Sequence, residues 1–264
     1  MAMKDLRHAK ILITGASGSV GRQLLYDFTR RDIRPIAHVR VDSDTAFVES
    51  LGLEMRQADL RRQDQLEALT QGIDAVIHSA AWVDFRGDRL TQFTGINTFG
   101  AVEMYKAARK AGVSRFLHVS TVAAVGALPH ARENGQLGST HLVSEEYEFN
   151  LGHLRIPYIL TKHAAEVELR KLAAEGGPEL VIVNPSIIIA PSRSGHDRAK
   201  ALKRMRKMVM PEFANTVNLV DIRDVSSGII GALCHGRPSE RYILAGDNIN
   251  VRDFVLTLSA ELGR

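Results

Sequence analysis

The chain has 264 residues, a formal net charge of +4, 45% hydrophobic and 24% charged residues, enough for one large α/β domain with a packed core and too apolar for a disordered chain. Its only cysteine is Cys234, which excludes an internal disulfide and a cysteine-rich zinc site. No apolar stretch reaches the roughly 18–20 residues that cross a bilayer, and the run Ile11 to Ile13 is broken by Thr14-Gly15, too short for a signal-peptide core. A cytoplasmic protein without a membrane partner is expected.

In chain order, strand-like and helix-like segments alternate. Residues 10–14 read as an apolar strand, and 20–31 as a helix with Val20, Leu24, Leu25 and Phe28 at helical spacing. Strands follow at 35–40 and 53–57, a helix at 63–70, and a strand at 75–79. The stretch 90–111 reads as one long helix ended by Gly112, then come a strand at 114–120, a helix at 158–174 ended by Gly176-Gly177, and a strand at 180–184 stopped by Pro185. This alternation predicts a Rossmann-type, doubly wound parallel sheet with right-handed crossovers. Past Pro185 the pattern loosens into helices at 199–210, 225–234 and 251–262 with short strands at 216–220 and 241–244. With no linker between them, residues 1–264 are expected to form one domain, with a small substrate lobe made mainly from 186–264.

The segment Thr14 to Gly21 follows the first strand and opens a helix. Gly15 permits the tight turn, Gly18 lets backbone approach a pyrophosphate, and Gly21 lets helix and strand pack closely. The helix N-terminus then offers free N–H groups and a positive dipole end to phosphates. The second strand ends in Arg40, about twenty residues past the loop, where an acidic residue would hold the ribose hydroxyl of NAD and an arginine accommodates the phosphate of NADP. NADP is therefore the expected cofactor, with NAD left open because Asp42 lies two residues further.

Tyr158 and Lys162 sit at i and i+4 of a helix and project together. A nearby ammonium stabilises a phenolate, so the pair is expected to lower the phenol's pKa and let Tyr158 move a proton as a hydride moves at an adjacent carbon. Ser120-Thr121 ends the fifth strand at the carboxyl edge of the sheet, where open α/β sheets bind ligands. The order of loop, hydroxyl, tyrosine and lysine is more specific than any one of them.

With Ala58-Asp59-Leu60, His78-Ser79-Ala80-Ala81, Asn97 with Gly100, Val119 to Gly126, Tyr158 to Glu166, Asn184-Pro185-Ser186 and Val220 to Val225, the sequence resembles the extended short-chain dehydrogenase/reductase family, also called the NAD-dependent epimerase/dehydratase family. Within it the likeness is to the dihydroflavonol-4-reductase-like branch, which Arg241 to Gly246 supports. The resemblance implies a catalytic set of Thr121, Tyr158 and Lys162, with Lys162 also on the nicotinamide ribose. It implies cofactor contacts from Gly15, Ser17, Gly18, Ser19, Val20 and Arg40, from Asp59 and Leu60 at the adenine, and from Ser79, Ala80, Ala81 and Asn97. Tyr158, Lys162, Pro185 and Ile188 complete that set near the nicotinamide. A sugar 4,6-dehydratase of this family carries Asp-Glu after the threonine; here Val122-Ala123 follow, which argues against that chemistry. Against the pattern of an extended member, the sequence stops at Arg264 within the last helices, leaving the completeness of the substrate pocket open.

Three readings of function follow: an NADP(H)-dependent carbonyl reductase or alcohol dehydrogenase, a nucleoside-diphosphate-sugar epimerase that retains its cofactor, and a non-catalytic dinucleotide sensor, which would not need Thr121, Tyr158 and Lys162. A small-molecule substrate is expected, and a homodimer stays open as the assembly. The basic run 198–207 reads as a solvated helix face rather than a nucleic-acid site. His78, His118 and His163 have no metal-ligand spacing and read as structural, and no metal is expected. Trp82, Phe85 and Phe93 are either core or lining of an apolar substrate pocket.

Overall fold

Strands β1 (Ile11–Thr14), β2 (Ile36–Val39) and β4 (Ala75–His78) are buried at every position, because helices cover both faces of the sheet they build. The computed structural model describes residues 6–83, 90–128, 143–191 and 216–250, with 253, 254 and 257. Strands β3 (Met55–Gln57), β5 (Arg115–Val119), β6 (Glu179–Pro185) and β9 (Arg241–Leu244) complete a seven-stranded sheet in the order β3-β2-β1-β4-β5-β6-β9. Every pairing in it is parallel, the doubly wound α/β arrangement that the alternation predicts.

On one face, Ile11 and Ile13 pack with Leu24, Leu25 and Phe28 of α1 (Ser19–Thr29) and with Val225, Ile229 and Leu233 of α7 (Ile222–His235). On the other, Leu12, Val76 and Phe116 meet α3 (Gln63–Thr70), α5 (Gly100–Lys110) and α6 (Pro157–Ala174). Each fully buried side chain of this size stabilises the fold by about 1.5–3 kcal/mol. Helix α6 starts with Pro157, whose missing N–H is no loss in a first turn. It stops before Gly176 and Gly177, both at positive φ.

Three elements were not legible as pattern: the short helix α2 (Ala46–Ser50), and strands β7 (Ile187–Ile189) and β10 (Asp247–Asn250). With β8 (Thr216–Asp221) the two strands form a separate sheet in the order β10-β8-β7. Pro185 is the last residue of β6, opposite Leu244, rather than the first beyond it; the chain leaves the large sheet at Ser186 and enters the small one at Ile187. The expected helix 90–111 is interrupted. Helix α4 (Leu90–Phe93) leads into a π-helical turn, Thr94–Phe99, before α5 begins. The expected helix 199–210 and the basic run lie outside the described residues, as do Phe85 and most of the expected helix 251–262. Phe93 belongs to the core, with about 1% of its surface exposed.

Candidate active site

The glycine loop is shaped by close backbone crossings. Gly15 has φ 69°, which favours glycine, and a Cβ there would sit 2.8 Å from the Ala80 Cα. Gly21 lies so close to the Gly15 carbonyl that a side chain would collide with it. Gly18 differs: its backbone is extended, and an added Cβ would meet only the Gly15 carbonyl oxygen, at 3.1 Å. The first turn of α1 has no acidic residue and no side-chain cap, so its orphan N–H groups at Ser19 and Val20 stay available to an anion. Ser17 is partly buried, and its hydroxyl lies 3.4 Å from that of Ser43. A pyrophosphate fits this cradle.

Around the loop, the Ser79 hydroxyl donates to the Thr14 carbonyl (2.6 Å), and the Ala80 N–H reaches the Thr14 hydroxyl (3.3 Å). Ala81 is exposed beside them. Arg40 follows β2 with 61% of its side chain exposed; its nearest carboxylate is Asp42, at 3.8 Å. Asp59 pairs with Arg61 at 2.6 Å, and that guanidinium holds its carboxyl down at about 2. Leu60 is buried and lies against Gly100. Among the expected cofactor contacts, therefore, Gly18, Ser19, Arg40 and Ala81 offer open surface, whereas Leu60 is turned into the core.

The carboxyl end of β5 meets the first turn of α6. Thr121 is extended; its hydroxyl accepts from the Ala123 N–H (3.3 Å) and its carbonyl accepts from Asn184 Nδ2 (3.0 Å). The Thr121 side chain faces the Tyr158 phenol. Burial pushes the Tyr158 phenol above its ordinary value, and the Thr121 side chain opposes that rise. The expected lowering by Lys162 is not what sets this phenol, because the ammonium is engaged elsewhere. Lys162 Nζ donates to the Val119 carbonyl at 2.8 Å and lies 3.2 Å from His118 Nε2. Burial draws Lys162 down to about 8, against the opposing charge of Glu166.

Neutral polar groups line the sheet beneath. Thr14, His78 and His118 lie side by side in register on β1, β4 and β5. The Thr14 hydroxyl meets His78 Nδ1 at 3.0 Å, and the two imidazoles stack with centroids 5.7 Å apart. Burial holds His78 down at about 3 and His118 well below the usual range, with Lys162 adding to both, so both rings are uncharged. His163 stacks on Phe149 at 3.8 Å. These are structural roles, and no group of three or more metal-ligating side chains occurs among the described residues.

Asn97 sits in the π turn. Its carboxamide accepts from the Trp82 N–H (2.7 Å), donates to the Trp82 carbonyl (3.1 Å) and reaches the Thr161 hydroxyl (3.3 Å). The extra residue of a π turn re-aims a side chain, and here it clamps the segment after β4 to α6. Pro185 and Ile188 flank the passage between the sheets. Sequence reasoning passed over Glu166 and Asn184 as site residues, both buried against this site. Glu166 one turn beyond Lys162 was the signal that could have found the first; nothing local marks the second.

A family profile described as "NAD dependent epimerase/dehydratase family" matches residues 11–246. The chain is 30% identical over 249 residues to sterol demethylase protein B of Methylococcus capsulatus, spanning 91% of this chain and 70% of that protein. It is 30% identical over 258 residues to a provisionally named dihydroflavonol 4-reductase of Synechocystis sp., spanning 95% and 72%. The crystal structure of a Thermus thermophilus UDP-glucose 4-epimerase with NAD superposes with a TM-score of 0.78 at 18% identity, over 97% of this chain and 84% of that one, a likeness of fold. No helix among the described residues is long and apolar enough to cross a membrane.

Proposed function

Because this chain belongs to the NAD-dependent epimerase/dehydratase family, whose relatives are NAD(P)-dependent reductases, epimerases and dehydratases, we propose that it is an NADP(H)-dependent carbonyl reductase or alcohol dehydrogenase working through Thr121, Tyr158 and Lys162. The observation that carries this reading is the meeting of Thr121, at the carboxyl end of β5, with Tyr158 in the first turn of α6, with the buried Lys162 one helical turn away. A bound nicotinamide supplies the hydride acceptor or donor. Thr121 orients the substrate oxygen, and Tyr158 gives or takes the proton at that oxygen. Lys162 would hold the ribose, its ammonium anchored on the Val119 carbonyl.

The glycine loop and the first turn of α1 would hold the pyrophosphate. Arg40 would pair with a ribose phosphate by charge-assisted hydrogen bonds, with Asp59, Leu60, Ser79, Ala80, Ala81 and Asn97 along the dinucleotide and Pro185 and Ile188 near the nicotinamide. Residues 1–264 act as one domain in this reading, and 186–264 supply the substrate side.

A screen of aldehydes, ketones, steroids and nucleotide sugars, followed by NADPH absorbance, tests it. Net oxidation of NADPH by a carbonyl substrate is the expected result. Turnover of a nucleotide sugar with no net change in the cofactor would replace the reductase by an epimerase.

A further inference from the structure

Tyr158, Lys162 and Glu166 lie at successive i+4 positions on one face of α6. Glu166 is a carboxylate with about 2% of its surface exposed. Such a group is stable in the interior only with partners that offset its lost hydration. The nearest is Asn184 of β6, whose Nδ2 donates to Glu166 Oε1 at 2.7 Å and to the Thr121 carbonyl at 3.0 Å. Both hydrogens of one carboxamide are thereby used, one on the helix that bears Tyr158 and Lys162, the other on the strand end that bears Thr121.

Resting on the catalytic reading above, we infer that Glu166 and Asn184 are positioning residues: Glu166 is the counter-charge of Lys162, and Asn184 ties that carboxylate to the backbone of Thr121. The three reacting groups come from two elements, and this cross-link acts beside the Lys162–Val119 bond in fixing one element against the other. A plainer role for Glu166 is to neutralise Arg241. Arg241 does reach Glu166 Oε2, at 3.5 Å, while donating to the Tyr147 and Glu145 carbonyls, so the carboxylate serves Arg241 through Oε2 and Asn184 through Oε1, on the helix face it shares with Lys162.

The groups facing Lys162 are few. From β5 come His118 and the Val119 carbonyl, from β4 His78, both imidazoles neutral. The π turn packed on α6 contributes the neutral Asn97 and Thr98, which bond Thr161. On α5 the carboxylate of Glu103 is paired with Lys106. Among described residues Glu166 is thus the carboxylate that shares Lys162's face of α6 and whose charge opposes the effect of burial on it, and Arg170 and Arg241 lie beyond that carboxylate.

The test follows Lys162 directly, by NMR of protein labelled at lysine Cε, with the signal assigned by its loss in Lys162→Met. In wild type the expected midpoint is about 8, below the ordinary lysine value. In Glu166→Gln, which keeps an oxygen for Asn184 to donate to but removes the charge, the midpoint moves to lower pH. A merely structural carboxylate would leave it in place, and an unmoved midpoint overturns the inference. In Asn184→Ala, or Asn184→Ser should alanine not fold, kcat falls roughly ten- to hundredfold, the cost of misplacing a reacting group, while dinucleotide affinity is held. A wild-type kcat in that variant also overturns it. Tyr158→Phe, assayed alongside, separates the two claims: full turnover there ends the catalytic reading, and the Lys162 titration still decides the role of Glu166.

Discussion

The two sheets of this molecule are built on opposite principles. In the large sheet, β1, β2, β4 and β5 are buried at every residue, whereas in the small one β7 and β10 expose most of theirs. The proposed cofactor edge thus rests on rigid strands covered on both sides, and the proposed substrate side on thin strands with one open face. The difference teaches where change is tolerated. A site that must hold a fixed dinucleotide is backed by close packing, while a surface that selects among substrates can vary without disturbing it. The proposed reacting groups sit at the seam, where β5 and β6 end and the chain crosses into the small sheet.

The largest expected effect is at that seam. Tyr158→Phe keeps the ring and its packing but removes the hydroxyl beside Thr121. Turnover should fall by about 10²–10⁴-fold with dinucleotide binding retained, measured by kcat on any substrate the wild type converts.

Paired truncations read the contrast between the sheets. Ile13 on β1 is fully buried, and Ile187 on β7 is 54% exposed. Ile13→Ala should cost about 2–5 kcal/mol, whereas Ile187→Ala should stay within about 0.5 kcal/mol. Denaturant unfolding of the two variants checks this, and equal losses would erase the distinction.

The loop can be broken without touching the core. Gly18→Val adds a Cβ whose one close neighbour is the Gly15 carbonyl oxygen, at 3.1 Å, on backbone that valine can adopt. It should fold, by circular dichroism, and bind dinucleotide at least roughly tenfold more weakly, since it fills the pyrophosphate cradle. Arg40→Ala should weaken NADP(H) by roughly tenfold, the low end for charge-assisted bonds at so exposed a side chain, and leave NAD(H) affinity unchanged; calorimetry with both cofactors decides.

A modest, pH-dependent effect lies beside the small sheet. The Asp221 carboxylate caps α7 by accepting from the Arg223 N–H at 2.8 Å, so Asp221→Ala should cost about 0.5–2 kcal/mol. The Arg223 guanidinium holds this carboxyl down at about 2, below its usual 3.8. A lowered carboxyl favours the fold above the unfolded value, so the contribution is complete above about 4. It is lost as pH falls towards 2. Thermal melts of wild type and variant should therefore converge across that window.

What the sequence by itself determined was the part built from short-range pattern. The β-α alternation set the parallel sheet. Thr14 to Gly21 announced its turn because its glycines fall where a strand gives way directly to a helix, and Tyr158 and Lys162 shared a face because four residues make a helical turn. Tertiary structure decided the rest. The continuous helical pattern of 90–111 hid a π turn, which exists because Asn97 must reach Trp82 and Thr161, groups distant in sequence. Strands β7 and β10 are three and four residues long, too short to carry a period. The Lys162 ammonium went to His118 and Val119, and Asn184 joined Glu166 to Thr121, because buried charge and buried amides must find partners wherever the fold brings them. Spacing along the chain carries no record of those encounters.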